Sequence, residues 1–151
     1  MGVSRSEAEL LYPATRYAPA FLLDLENKDQ RERLSGSALK GFFNLVERWG
    51  LRDEAARGLL GGLSNGAYYK WKREPGSVLL SGDVLTRISY LLGIYKALHI
   101  LYGDPLADEW VRLPNKNRIF GGQSPLAFML AGGMSAMQLV RRLLDARRGG
   151  R

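Results

Sequence analysis

Apolar residues recur at spacings of three and four along most of this chain, and nowhere do they alternate over a run long enough for a strand. Leu39, Phe42, Phe43, Val46 and Trp49 form one helical stripe, which Ser37 is placed to cap and Gly50 to end, with Ser35-Gly36-Ser37 breaking the chain ahead of it. A short amphipathic segment, Arg52 to Leu60, leads into the turn Gly61-Gly62-Leu63 and a capped helix from Ser64 to Arg73, which Pro75-Gly76 prevents from continuing. Ser81-Gly82-Asp83 caps a longer helix whose Val84, Leu85, Ile88, Leu91, Leu92, Tyr95, Leu98 and Leu101 make a broad apolar face.

Gly103-Asp104-Pro105 closes that helix, and Leu106 to Leu113, carrying Trp110, runs to the turn Pro114-Asn115-Lys116-Asn117. Ser124 then caps a helix with Pro125 in its first turn, where a missing N–H costs least. That helix is expected to run to Ala131, with Gly132-Gly133 stopping it. A last helix from Ser135 to Ala146 buries Met137, Val140, Leu143 and Leu144 and leaves Arg147-Arg148-Gly149-Gly150-Arg151 as a tail. These elements predict an all-α chain in three parts. Residues 1–34 form an arm whose cluster Phe21-Leu22-Leu23-Leu25 needs cover from a dimer mate or from the following domain. Residues 35–103 form a helix-turn-helix domain, and residues 104–151 a second small helical unit.

The Ser64–Arg73 helix has the character of a recognition helix. If Tyr68 and Trp71 face the core, Asn65, Tyr69, Lys70, Lys72 and Arg73 project from one side as donors and positive charge. In that frame Gly62 lies in the turn and Gly58 where the two helices cross. The same frame puts Arg57 and Gly61 at positions normally apolar, so either the register slips near Leu59 and Leu60 or the motif is degenerate. A basic, solvated helix in an ordinary bundle is the alternative. On the DNA-binding reading, Ser64 caps the helix at the groove, Asn65 reads adenine, and Lys72 and Arg73 hold phosphates.

Composition narrows the chemistry. The 151 residues carry a net charge of +7 and no cysteine, which excludes disulfides, thiolate catalysis and cysteine metal sites. The lone His99 lies in the apolar run Leu98-His99-Ile100-Leu101 and is expected to pack rather than ligate. Asp104, Asp108 and Glu109 fit a helix-start charge bias. With no nucleophile and base pair, no metal cluster and no close carboxylate pair, neither an enzyme nor a cofactor is expected. The opening residues lack a signal sequence and the most apolar helix is interrupted by Arg87, Lys96 and His99, so the expected compartment is cytoplasmic, without membrane. The charge is split: residues 37–103 net +4, residues 104–137 balance, and residues 138–151 net +4 again, so one polyanion need not explain both centres.

Asn-Gly-Ala-Tyr-Tyr-Lys-Trp-Lys at 65–72, the helix Arg87 to Leu98, Trp110, Pro114-Asn115, Gly122-Gln123-Ser124-Pro125-Leu126 and Gly132-Gly133 together resemble the Xre/MbcA/ParS antitoxins. The resemblance runs from about residue 37 to the end. It implies an Xre-like helix-turn-helix followed by a toxin-binding unit, and a RES-domain toxin acting on NAD as partner. It also implies operator DNA as a second partner and a non-enzymatic role. Carried over by position, toxin binding falls on Gly122, Ser124, Pro125, Gly132, Gly133, Arg147, Arg148, Gly149, Gly150 and Arg151. The glycine pairs are alternatively helix punctuation, and the arginine tail either docks at the toxin's pocket rim or is solvated. A homodimer on a two-fold operator and a heteromeric toxin–antitoxin complex are expected, with residues 104–151 sufficient to neutralise the toxin. A stand-alone helix-turn-helix repressor, using its C-terminal half to dimerise, is the alternative function.

Overall fold

The computed structural model describes residues 27–149, so the apolar cluster Phe21 to Leu25, Gly150 and Arg151 lie outside the described residues. Among the described residues there are six α-helices and no strand. They are α1 (Lys28–Trp49), α2 (Asp53–Leu59), α3 (Asn65–Arg73), α4 (Gly82–Leu101), α5 (Leu106–Glu109) and α6 (Pro125–Gly149). Single 3-10 turns occur at Pro75–Ser77, Trp110–Arg112 and Arg118–Phe120. The fold is all-α, as the periodicity predicts.

The first helix corrects the sequence reading. α1 starts at Lys28, where the Asn27 side-chain oxygen accepts the backbone N–H groups of Asp29 (2.9 Å) and Gln30 (3.3 Å). Ser35-Gly36-Ser37, expected to break the chain, lies well inside the helix. The reason is tertiary. The fully buried Ser35 hydroxyl donates to the Arg31 carbonyl (2.5 Å) and accepts the Leu80 N–H (2.9 Å). A Cβ at Gly36 would come 3.8 Å from the Gly76 backbone. Small residues there let the Pro75–Ser77 turn lie directly on α1, and Ser37 caps nothing.

α4 is the central helix, packed by α1 on one side and α6 on the other. Its length and composition would suffice to cross a bilayer, but Leu85, Ile88, Leu91, Ile94, Ala97 and Leu98 are buried in the shared core. Ile94 and Ala97 fall outside the face read from sequence, because a helix covered from two directions buries a wider arc. α1 contributes Leu39, Phe42, Leu45, Val46 and Trp49 to the same core.

α6 begins as read, with the Ala127 N–H donating to the Ser124 hydroxyl (3.1 Å) and Pro125 at the first position. It is two segments joined at Gly133, whose φ of 66° and ψ of −145° are open essentially to glycine alone. The second segment buries Ala136, Met137, Val140 and Leu144. It continues past Ala146 to Gly149, so Arg147 and Arg148 are helical, not a tail. The Arg147 guanidinium donates to the Tyr102 hydroxyl (3.0 Å), and Arg148 lies 3.6 Å from the Asp145 carboxylate. Because α6 rests on α4, a fragment beginning at residue 104 would leave this apolar face uncovered.

Candidate nucleic-acid interface and partner surface

Three local features set the helix-turn-helix. Ser64 caps α3 by accepting the Ala67 N–H (3.2 Å). Gly61 and Gly62 take φ of 98° and 88°, which side-chain-bearing residues avoid, and so reverse the chain between α2 and α3. Arg57 closes the turn. Its carbonyl accepts the N–H groups of Gly62 (3.0 Å) and Leu63 (3.2 Å), and its side-chain Nε donates back to the Leu63 carbonyl (3.0 Å). The arginine that fits no apolar slot is therefore the turn's hydrogen-bonding centre, and the buried positions fall on Ala56, Leu59 and Leu60, the register slip read from sequence.

α3 docks on α1 through edge-to-face aromatic contacts, with Phe43 and Tyr68 centroids 5.5 Å apart and Phe42 behind Phe43 at 5.5 Å. Tyr68 is fully buried, as predicted, while Trp71 is half-buried against the same core. Gly58 does not serve the α2–α3 crossing. A Cβ there would meet the Leu130 side chain of α6 at 2.8 Å, so its smallness admits α6 instead.

Ser64, Asn65, Tyr69, Lys70, Lys72 and Arg73 are all exposed. Among the described residues, no ion pair engages the three cations, and two of the polar side chains are tethered to α2. The Tyr69 hydroxyl donates to the Asp53 carboxylate, and Arg57 Nη1 donates to Asn65 Oδ1 (3.3 Å). The hydrogen bond to Asp53 raises the Tyr69 hydroxyl's pKa above its usual 10.0, with the carboxylate's charge adding to it. Burial raises that of Tyr68, and Asp53 adds to it. Neither tether is visible in the sequence, since each depends on how α2 crosses α3.

The C-terminal part presents different chemistry. Trp110 and Phe120 pack edge to face at 6.0 Å, and Phe120 and Phe128 at 5.3 Å, which fixes the loop before α6. The Asn115 N–H donates to the Gln123 carbonyl (3.1 Å) across that loop. Of the residues read as toxin-binding, Gly122, Gly132 and Gly149 are exposed, Ser124, Gly133, Arg147 and Arg148 are half-buried, and Pro125 is buried. Pro125 is therefore a core residue. Sequence reasoning missed the large apolar side chains left in solvent here: Leu106, Leu113, Ile119, Leu130 and Leu139 are each 39–44% exposed. Spacing alone could have flagged Leu139, which falls on the opposite side of its helix from Met137 and Val140.

His99 is more engaged than the sequence indicated. It lies 4.3 Å from the Tyr95 ring centroid, and its Nε2 and Nδ1 approach Asp108 (2.8 Å) and Asp104 (3.5 Å). The three residues bring possible ligand atoms within 4.8 Å of one another. Both ring nitrogens already face carboxylates, and the hydrogen bond from His99 to Asp108 ties α4 to α5.

An all-α protein with a capped, cation-faced helix after a glycine turn, joined to a second helical unit with exposed apolar side chains, is a helix-turn-helix protein built to bind a further partner. Residues 27–93 match the antitoxin Xre-like helix-turn-helix domain, and residues 97–150 match the antitoxin Xre/MbcA/ParS C-terminal toxin-binding domain. The chain belongs to the Xre/MbcA/ParS antitoxin family, with a toxin as its partner. An uncharacterized protein of Sinorhizobium fredii, y4oB, is 40% identical over 113 residues, 74% of this chain and 84% of its own length. The first matched range ends and the second begins inside α4.

Proposed function

We propose that this antitoxin neutralises a RES-domain toxin acting on NAD and represses its own operon through α3. The observation that carries this is the division of exposed chemistry. Hydrogen-bond donors and cations that have no ion pair among the described residues gather on α3, while five of the eight large apolar side chains left in solvent lie on the C-terminal part. The first suits phosphates and base edges, the second a protein surface. Asn65 and Tyr69 meet the bases and Lys70, Lys72 and Arg73 the phosphates. The toxin docks on residues 104–151, where Arg147 and Arg148 are held half-buried at the end of α6 by Tyr102 and Asp145. The antitoxin acts by binding, in the bacterial cytoplasm, without a cofactor and as a homodimer matching a two-fold operator.

The test is co-expression of the chain with a RES-domain toxin, reading growth, NAD level and complex formation by pull-down. Neutralisation with restored NAD is the expected result. Promoter binding by a chain that leaves the toxin active would make it a stand-alone repressor. In a promoter-shift assay, Lys72→Ala with Arg73→Ala should weaken binding to every sequence, and unchanged binding would remove α3 from the interface.

A further inference from the structure

The two tethers between α2 and α3 carry an inference that rests on the DNA-binding reading and deepens it. Asn65 is the first residue of the recognition helix, the end that meets base edges in helix-turn-helix proteins. An asparagine reads adenine by accepting from N6 and donating to N7 at once, which requires its amide to be held one way round. Arg57 supplies that constraint. Its Nε is fixed on the Leu63 carbonyl at 3.0 Å, which places Nη1 3.3 Å from Asn65 Oδ1. Oδ1 keeps a second lone pair, so the contact orients the amide without exhausting it. One helical turn on, Asp53 accepts the Tyr69 hydroxyl, so Tyr69 offers DNA its ring and one oxygen lone pair instead of a donor.

We propose that Arg57 and Asp53, on the first helix of the motif, are specificity-determining positioning residues that set Asn65 and Tyr69 for base reading before DNA arrives. Arg57 acts through its fork, which bridges Leu63 and Asn65, and not through its charge. Asp53 adds a second effect: a carboxylate beside the interface repels phosphate on any DNA, which leaves more of the binding to depend on the base contacts.

The experiment measures the affinity of the full chain for its own promoter fragment and for a scrambled fragment of equal composition, across a range of salt. Arg57→Lys keeps the charge and one donor group but cannot fork. It should lower the promoter-to-scrambled ratio by roughly ten-fold, the loss expected for one bidentate base contact, while leaving the salt slope unchanged. In an Asn65→Ala background it should cost nothing further, since the group it positions is gone. Asp53→Asn should tighten binding to scrambled DNA and lower the ratio. A thermal melt of each variant confirms folding, and Tyr69→Phe, which removes only a hydroxyl, gives a second readout of the Asp53 tether. An unchanged ratio in Arg57→Lys, with the wild type still discriminating, overturns the positioning role and leaves DNA binding intact. Additive losses with Asn65→Ala also overturn it. A wild type with no preference between the fragments overturns this inference and the operator reading together.

Discussion

Replacing Ser35 with alanine isolates one buried hydrogen bond that joins α1 to the segment after the recognition helix. The Leu80 N–H loses its acceptor, and at 1% exposure it has no access to water. A buried donor left in that state costs about 1–3 kcal/mol. The second bond, from the hydroxyl to the Arg31 carbonyl, matters less, because that carbonyl also faces the helix's own N–H groups. Alanine returns about 0.5 kcal/mol of helix propensity, so the net loss is about 1–2 kcal/mol, or about 3–6 °C in Tm for a chain of this length. Ser37→Ala is the comparison. Were Ser37 an N-cap, alanine would cost about 1 kcal/mol; inside an exposed turn of α1 it should be neutral or slightly stabilising. Thermal unfolding followed by circular dichroism, with urea titration to check the slope, reads both. A Ser35→Ala protein melting within 1 °C of the parent, or a clearly destabilised Ser37→Ala, would refute the continuous helix and the role given to its interior serine.

Gly133→Ala forces an alanine into φ 66° and ψ −145°, so it should cost about 1–3 kcal/mol or straighten α6; unfolding midpoints and toxin affinity should fall together. Gly62→Ala meets no neighbouring atom, so its loss of roughly 1 kcal/mol should be purely conformational. Tyr68 and Tyr69 titrate above 10.0 in the folded chain, so the stability they confer is complete below that pH and is lost as pH rises through the folded values. Tyrosinate absorbance should show two late-titrating hydroxyls, and Asp53→Asn should return Tyr69 toward its ordinary range. Tyr102→Phe removes the acceptor for Arg147 and should fray the end of α6, raising hydrogen exchange there while leaving promoter binding unchanged.

The helices whose ends are marked by their own residues were legible in the sequence. Ser64 and Ser81 sit where they were read, accepting the N–H three residues on, and the Gly133 break falls where the glycine pair placed it. What failed were positions whose cause is distant in the chain. Ser35 and Gly36 look like punctuation until the Pro75–Ser77 turn is laid against them, and Gly58 looks like part of the helix-turn-helix until Leu130 arrives from α6. Arg147 and Arg148 read as a tail beyond the helix because nothing local announces Tyr102, 45 residues before Arg147. The exposed donors of α3 could be listed from spacing. That two of them are already held by Asp53 and Arg57 could not, because a polar contact across 8 or 16 residues depends on the angle at which two helices meet.

The continuity of α4 from the end of the first matched region into the second has a thermodynamic meaning. A single rod buried on both flanks cannot melt beneath one region and persist beneath the other, so the molecule should unfold in one cooperative step. Whatever occupies either surface then stabilises the whole by mass action, by about 2.7 kcal/mol at a hundredfold excess over its dissociation constant. Slowed amide exchange along α4 would report promoter and toxin alike, and each ligand would guard the opposite region from proteolysis without touching it.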